Sequence, residues 1–113
     1  MKTILQETTI QILDVYKLHK YYSCDAKNMP NKKGVYFLFD YFLEDDSYKL
    51  IYIGQTKELN RRLWKHLYAN NEHSNHAFSY FAFIEIENLC LRELSEIAYI
   101  CYYLPEFNRE SKE

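Results

Sequence analysis

The apolar positions of this chain gather into two short runs and then into helical stripes. Residues 34–39 read Gly34-Val35-Tyr36-Phe37-Leu38-Phe39 and residues 50–56 read Leu50-Ile51-Tyr52-Ile53-Gly54-Gln55-Thr56, with the polar stretch Glu44-Asp45-Asp46-Ser47 between them. Two apolar runs around a polar break predict a β-hairpin. Gly54 is expected to end the second strand at a turn, and Thr56 to cap a helix that begins at Lys57. At 100° per residue, Leu59, Leu63 and Leu67 of that helix form one stripe about 80° wide, and Arg62 and His66 lie about 60° and 20° off its edge. Arg62 and His66 are i and i+4, so their side chains meet, whereas Arg61 and Lys65 point to solvent.

The flanking segments predict less. In residues 8–22, Ile12, Val15, Tyr16 and His19 recur at helical spacing, with Thr8 or Thr9 as cap, which predicts an accessory helix. Residues 23–33 read as a linker carrying Pro30 and Lys32-Lys33. A third strand is expected from Tyr80 to Ile86, apolar on both faces as in a central strand. A long helix follows over 89–103, with Leu91, Leu94, Ile97, Ala98 and Cys101 as its expected core face and Glu96 nearly opposite. Pro105 ends it. The expected fold is a single α/β domain of α+β type. It has a small three-stranded, mainly antiparallel sheet flanked by helices, with 1–31 as accessory helix and linker and 32–108 as core.

Length and apolar content (113 residues, 48% hydrophobic) suit one globular domain with one core. No apolar run reaches the roughly 18 residues that span a membrane, and the first residues lack a sustained apolar signal region, so the expected location is cytoplasmic. The three cysteines, Cys24, Cys90 and Cys101, are too scattered for a disulfide framework or zinc spacing. Cys101 is expected in the core. His73 and His76 sit in a polar loop and are not expected to hold a metal. The twelve tyrosines can serve core, interface or base stacking.

The net charge of −2 is not that of a strong nucleic-acid binder, but its distribution is uneven. Residues 1–33 carry +3, residues 57–69 carry +3, and residues 70–108 carry −5. A phosphate backbone is expected to meet the basic side.

Gly34-Val35-Tyr36 and Tyr52-Ile53-Gly54 resemble the two signature tripeptides of the GIY-YIG nuclease family, the first with Val35 in place of Ile. The resemblance extends to Arg62 and His66 on the next helix, and to Glu96, Pro105 and Asn108 near the end. It covers roughly residues 32–108. A lone Tyr in an apolar strand is ordinarily core or surface, and a lone helical Glu is ordinarily solvated. The co-occurrence of six motif positions in order carries the weight.

The resemblance implies a metal-dependent endonuclease acting on DNA. Its catalytic residues would be Tyr36, Tyr52, Arg62, His66 and Glu96. Glu96 would be the ligand of Mg²⁺ or Mn²⁺, with Glu93 as runner-up. Arg62 would stabilise the scissile phosphate. Tyr36 is the candidate general base and His66 its rival, since a free phenol has a pKa near 10 and an imidazole a more convenient one. Lys57, Arg61, Lys65 and Asn108 are assigned to substrate binding, Asn108 as a supporting rather than a chemical group. Specificity would come from the domain itself, from a homodimer, or from a partner protein. The alternative is a nucleic-acid-binding module or subunit with no cleavage activity of its own. The intact Arg62 and Glu96 argue against it.

Overall fold

The computed structural model describes residues 10–68 and 78–110. Four antiparallel strands, β1 (Tyr21–Tyr22), β2 (Gly34–Phe42), β3 (Ser47–Thr56) and β4 (Tyr80–Glu85), form one sheet in the order β1-β4-β2-β3. Among the described residues, three α-helices accompany it: α1 (Leu59–Tyr68), α2 (Leu89–Tyr103) and α3 (Glu106–Glu110). The expected hairpin is β2–β3, turned through Asp46 at a φ of 51°. The expected third strand is β4, inside the sheet between β1 and β2, and it ends at Glu85; Ile86 instead donates its N–H to the Lys33 carbonyl at 2.8 Å.

Alternating residues divide the core between the two sheet faces. Val35, Phe37 and Phe39 of β2 join Leu50, Ile53, Ala82, Val15 and Tyr99 on the α2 face. Tyr36 and Leu38 join Ile51, Phe81, Phe78, Leu59 and Leu63 on the α1 face. A register shift between Leu38 and Phe39 pairs those residues with Tyr52 and Leu50, leaving Ile51 as the bulged residue. Ile51 and Tyr52 therefore both serve the α1 face, as a β-bulge permits.

Four expectations are corrected. The sheet has four strands, not three, because Tyr21 and Tyr22 pair with Phe81 and Tyr80. A two-residue strand shows no alternation to read. The accessory helix over 8–22 does not form among the described residues: a 3₁₀ turn at Val15–Lys17, strand β1 and a 3₁₀ helix at Ser23–Asn28 stand there instead, while Thr8 and Thr9 lie outside the described residues. The backbone of this segment is taken up by two tyrosines of α2. The Tyr99 hydroxyl accepts from Leu13 N–H (3.0 Å) and donates to the Gln11 carbonyl (3.1 Å). The Tyr103 hydroxyl accepts from Val15 N–H (3.1 Å) and donates to the Leu13 carbonyl (2.8 Å). These four bonds replace the ladder a helix would have made.

Third, β3 does not break at Gly54 but runs through it to Thr56, with φ at Gly54 outside the positive region. Fourth, α2 lies on the sheet by a different face. Arg92, Ser95 and Tyr99 are buried, whereas Leu94, Ile97 and Cys101 are exposed. His73 and His76 lie outside the described residues. No helix among the described residues is long and apolar enough to cross a membrane.

Candidate active site

Helix α1 is anchored at its start by polar groups. The Thr56 hydroxyl accepts from Glu58 N–H at 3.0 Å, the Lys32 carbonyl from Leu59 N–H at 3.0 Å, and the Asn31 side chain from Arg61 N–H at 3.2 Å. These acceptors satisfy the donors that a helix start leaves open. Asn31 stands thirty residues away in sequence, so no local signal announces it. So fixed, α1 buries Leu59 and Leu63 and turns Arg62 and His66 toward the Tyr36 ring.

Tyr36 is the centre of the cluster. Its ring is fully buried, and its hydroxyl accepts from Arg62 Nε at 3.1 Å and lies 2.9 Å from His66 Nε2. Tyr52 completes the group, its ring centroid 6.1 Å from Tyr36 and 5.1 Å from His66. Gly54 explains how this ring fits. It is the cross-strand neighbour of Tyr36, and a Cβ built on it would stand 2.4 Å from the Tyr36 hydroxyl oxygen and 2.5 Å from Cζ. The second glycine of the motif is thus required by the close approach of a side chain, not by a turn.

Burial pushes the Tyr36 phenol well above its ordinary value; neighbouring Tyr52 adds to this, Arg62 opposes it by charge and hydrogen bond, and Glu96 raises it further. Arg62 is held even more firmly charged than usual, chiefly by Tyr36. Glu96, half-buried on α2, acts on the Tyr36 phenol only through its charge, as the smallest of these causes. Glu93, the runner-up, is exposed. The structure therefore brings together Tyr36, Tyr52, Arg62 and His66, with Glu96 linked to them by charge alone.

Beside them, Arg61, Arg62 and Lys65 line a cleft of ≈ 260 Å³ together with Thr56 and Glu58. Sequence reasoning missed the last two as cleft residues. Glu58 lies 3.7 Å from Arg61, at a spacing of three that a charge pattern could have flagged. Lys57 is exposed at the mouth of the helix. The basic linker does not add to this surface as a free patch: the pairing of Gly34 with Glu85 brings Lys32 to 3.3 Å from Glu85 and Lys33 to 3.8 Å from Glu87.

Asn108 stands elsewhere. Its amide is buried and mimics a neighbouring strand, accepting from Ile53 N–H at 2.7 Å and donating to the Ile53 carbonyl at 2.8 Å. It closes part of the edge of β3 next to Gly54, in the manner of a strand cap. Asn108, grouped with the substrate-binding residues as a supporting group, has both ends of its amide engaged with the Ile53 backbone.

With this geometry in place, the comparisons are specific. Residues 32–100 match the model of the GIY-YIG catalytic domain, more than half of the chain, and the protein belongs to that family. It is an endonuclease by class. Among solved structures, it is similar to the GIY-YIG N-terminal endonuclease domain of UvrC from Thermotoga maritima. With a point mutant of that domain bound to its catalytic divalent cation it shares 24% identity and a TM-score of 0.60, over 74% of this chain and 90% of the other. With the magnesium-bound domain the values are 24% and 0.59, over 74% and 91%. At that identity the likeness speaks for the fold. No curated protein matches the sequence.

Proposed function

We propose that the chain hydrolyses DNA phosphodiester bonds with the help of a divalent cation, at the cluster of Tyr36, Tyr52, Arg62, His66 and Glu96. The observation that supports this most is the Tyr36 hydroxyl set between Arg62 Nε and His66 Nε2. It joins a proton path to a permanent cation beside an anion-accepting cleft. Hydrolysis asks that a water lose a proton, that charge growing on the phosphate be countered, and that the leaving oxygen be neutralised.

Arg62 lines the cleft and is hydrogen-bonded to both Tyr36 and Tyr52, and the N–H groups left beyond those bonds can take phosphate oxygens. A standing phenolate is costly in so buried a place, so the proton moves by relay. Tyr36 gives its hydroxyl proton to His66 Nε2 as it takes one from the attacking water. The imidazole becomes imidazolium, the phenol ends neutral, and Arg62 faces the transient charge on the tyrosine oxygen. In this reading Tyr36 and His66 act as one base.

The residues present fit a single divalent ion. No cluster of three or more His, Cys, Asp or Glu converges among the described residues, while the half-buried Glu96 offers one hard oxygen donor to the site. That suits Mg²⁺ or Mn²⁺ held largely by water and substrate phosphate, with Glu96 as protein ligand. Bound there, the ion would supply positive charge to the phosphate oxygens. Lys57, Arg61 and Lys65 would hold flanking phosphates of the DNA. Cutting both strands from one site per chain asks for a second copy or a partner protein.

The test is cleavage of supercoiled plasmid, single-stranded DNA and a branched substrate with Mg²⁺ or Mn²⁺. Cutting is expected to require the metal, to vanish in Glu96→Gln, and to slow by about 100-fold or more in Arg62→Ala, on the order of 3 kcal/mol of transition-state stabilisation. A native protein that binds all three substrates and cuts none would overturn the reading. Cutting that survives Glu96→Gln would move the metal ligand elsewhere, first to Glu93.

A further inference from the structure

Helix α2 carries a second apolar stripe that the fold does not use. Cys90, Leu94, Ile97 and Cys101 recur at spacings of four, three and four, the rhythm of a coiled-coil seam, within an arc of about 60°. Both cysteines are exposed, and Leu94 and Ile97 keep 43% and 55% of their surface open. The arc lies about 160° around the helix from the buried row of Arg92, Ser95 and Tyr99. Leu104 extends the spacing by three. It is 53% exposed at a φ of 51°, a helix-end position where glycine or asparagine is usual.

We propose that this stripe is the contact surface of a symmetric homodimer in which α2 of two copies packs antiparallel. The stripe is complementary to itself under a two-fold axis. Setting Leu94 against Ile97 of the partner subunit also sets Cys90 against Cys101 of the partner subunit, and the axis repeats both contacts, as an isologous interface requires. The antiparallel sense opposes the two helix dipoles and places Glu93 level with Ala98 of the partner subunit. A parallel pair would instead bring both Glu93 side chains to one rim.

The fifteen residues of α2 span about 22 Å, so the seam buries on the order of 1,000 Å² over both copies. That is the low end for a specific interface. Glu96 lies about 130° from the centre of the stripe, so the pairing leaves the tyrosine–arginine–histidine cluster of each copy unobstructed. The surface owes nothing to the nuclease reading, and either can fail alone.

Sedimentation of the full chain from about 1 to 100 µM is expected to show a monomer–dimer equilibrium. Ile97→Glu is expected to sediment as a monomer throughout, with far-ultraviolet circular dichroism unchanged. The register is read by cross-linking with a short bismaleimide in a Cys24→Ser background. Dimers are expected there. Adding Cys90→Ser or Cys101→Ser alone should abolish them, since like cysteines then stand about 16 Å apart, and mixing the two variants should restore them. A chain that stays monomeric at every concentration overturns the proposal and assigns the stripe to a different protein. Single-cysteine variants that still cross-link to themselves overturn the antiparallel register.

Discussion

Helix α1 turns Leu59 and Leu63 to the sheet, and helix α2 turns Leu94 and Ile97 away from it. The two helices cover opposite faces of the same four strands, yet hydrophobic spacing locates the buried side of one and misplaces that of the other. On α1 the apolar stripe and the chemical residues are neighbours, so burying Leu59 and Leu63 carries Arg62 and His66 to Tyr36. On α2 the buried row is amphipathic. Tyr99 and Tyr103 offer a ring to the core and a hydroxyl to the backbone of residues 11–15, and the Arg92 guanidinium binds Gln55 Oε1 at 2.9 Å and the carbonyls of Ile86 and Glu87 at 3.1 Å each. Such side chains win the sheet face because they satisfy buried polar groups that leucine would leave unpaired.

The comparison breaks most directly on paired truncations. Leu63→Ala should cost about 2–5 kcal/mol of unfolding free energy, the usual range for an emptied core site, whereas Leu94→Ala at concentrations too low for dimers should change it by about 0.5 kcal/mol or less. Denaturant titration of both variants decides it, and equal losses would mean that α2 is buried on its leucine side after all.

Gly54→Ala tests how tightly the α1 face is built. The added methyl would meet the Tyr36 ring, and overpacking of this kind costs about 1–3 kcal/mol. Cleavage should fall by about tenfold or more as the hydroxyl is displaced, read as a drop in kcat with KM little changed. Activity equal to that of the native protein would remove Gly54 from the positioning of Tyr36.

Asn108→Ala separates support from substrate contact. It strips both partners from the Ile53 backbone and should lower stability by about 2 kcal/mol, seen as a lower Tm, while KM for DNA stays within about twofold. A raised KM at native stability would return Asn108 to the substrate.

The smallest effect is a pH dependence. Burial holds the Tyr36 phenol above its unfolded value, so the neutral form is the one the fold favours. The stability this contributes is complete below about pH 10 and is lost as pH rises through the folded pKa, with a slope of up to about 1.4 kcal/mol per pH unit. Melting curves between about pH 8.5 and 11 should fall more steeply for the native protein than for Tyr36→Phe. Parallel curves would mean that Tyr36 already ionises in the fold.

Much of this was legible in advance where local pattern and tertiary need coincide. The hairpin, α1 and the length of α2 follow from runs, stripes and stops, and the tyrosines, arginine, histidine and glutamate of the cluster were recognisable from their order along the chain. The rest was not, for identifiable reasons. Strand β1 is two residues long and exists because Tyr22 and Tyr21 find Tyr80 and Phe81. Residues 10–18 carry helical spacing but follow the hydroxyls of Tyr99 and Tyr103, more than eighty residues downstream. Lys32 and Lys33 read as basic surface, and strand register set them against Glu85 and Glu87.

Residue type and local spacing announced the candidate chemical residues and the short elements that carry them, because propensity and spacing act within a few positions of the chain. What each of those residues touches was set by contacts across the fold. Those contacts laid the Tyr36 ring across Gly54, spent the Asn108 amide on Ile53, and chose the tyrosine side of α2 over its leucine side. Those outcomes depend on which polar groups meet across long sequence distances, and a buried polar group must find its partner wherever the fold has put it.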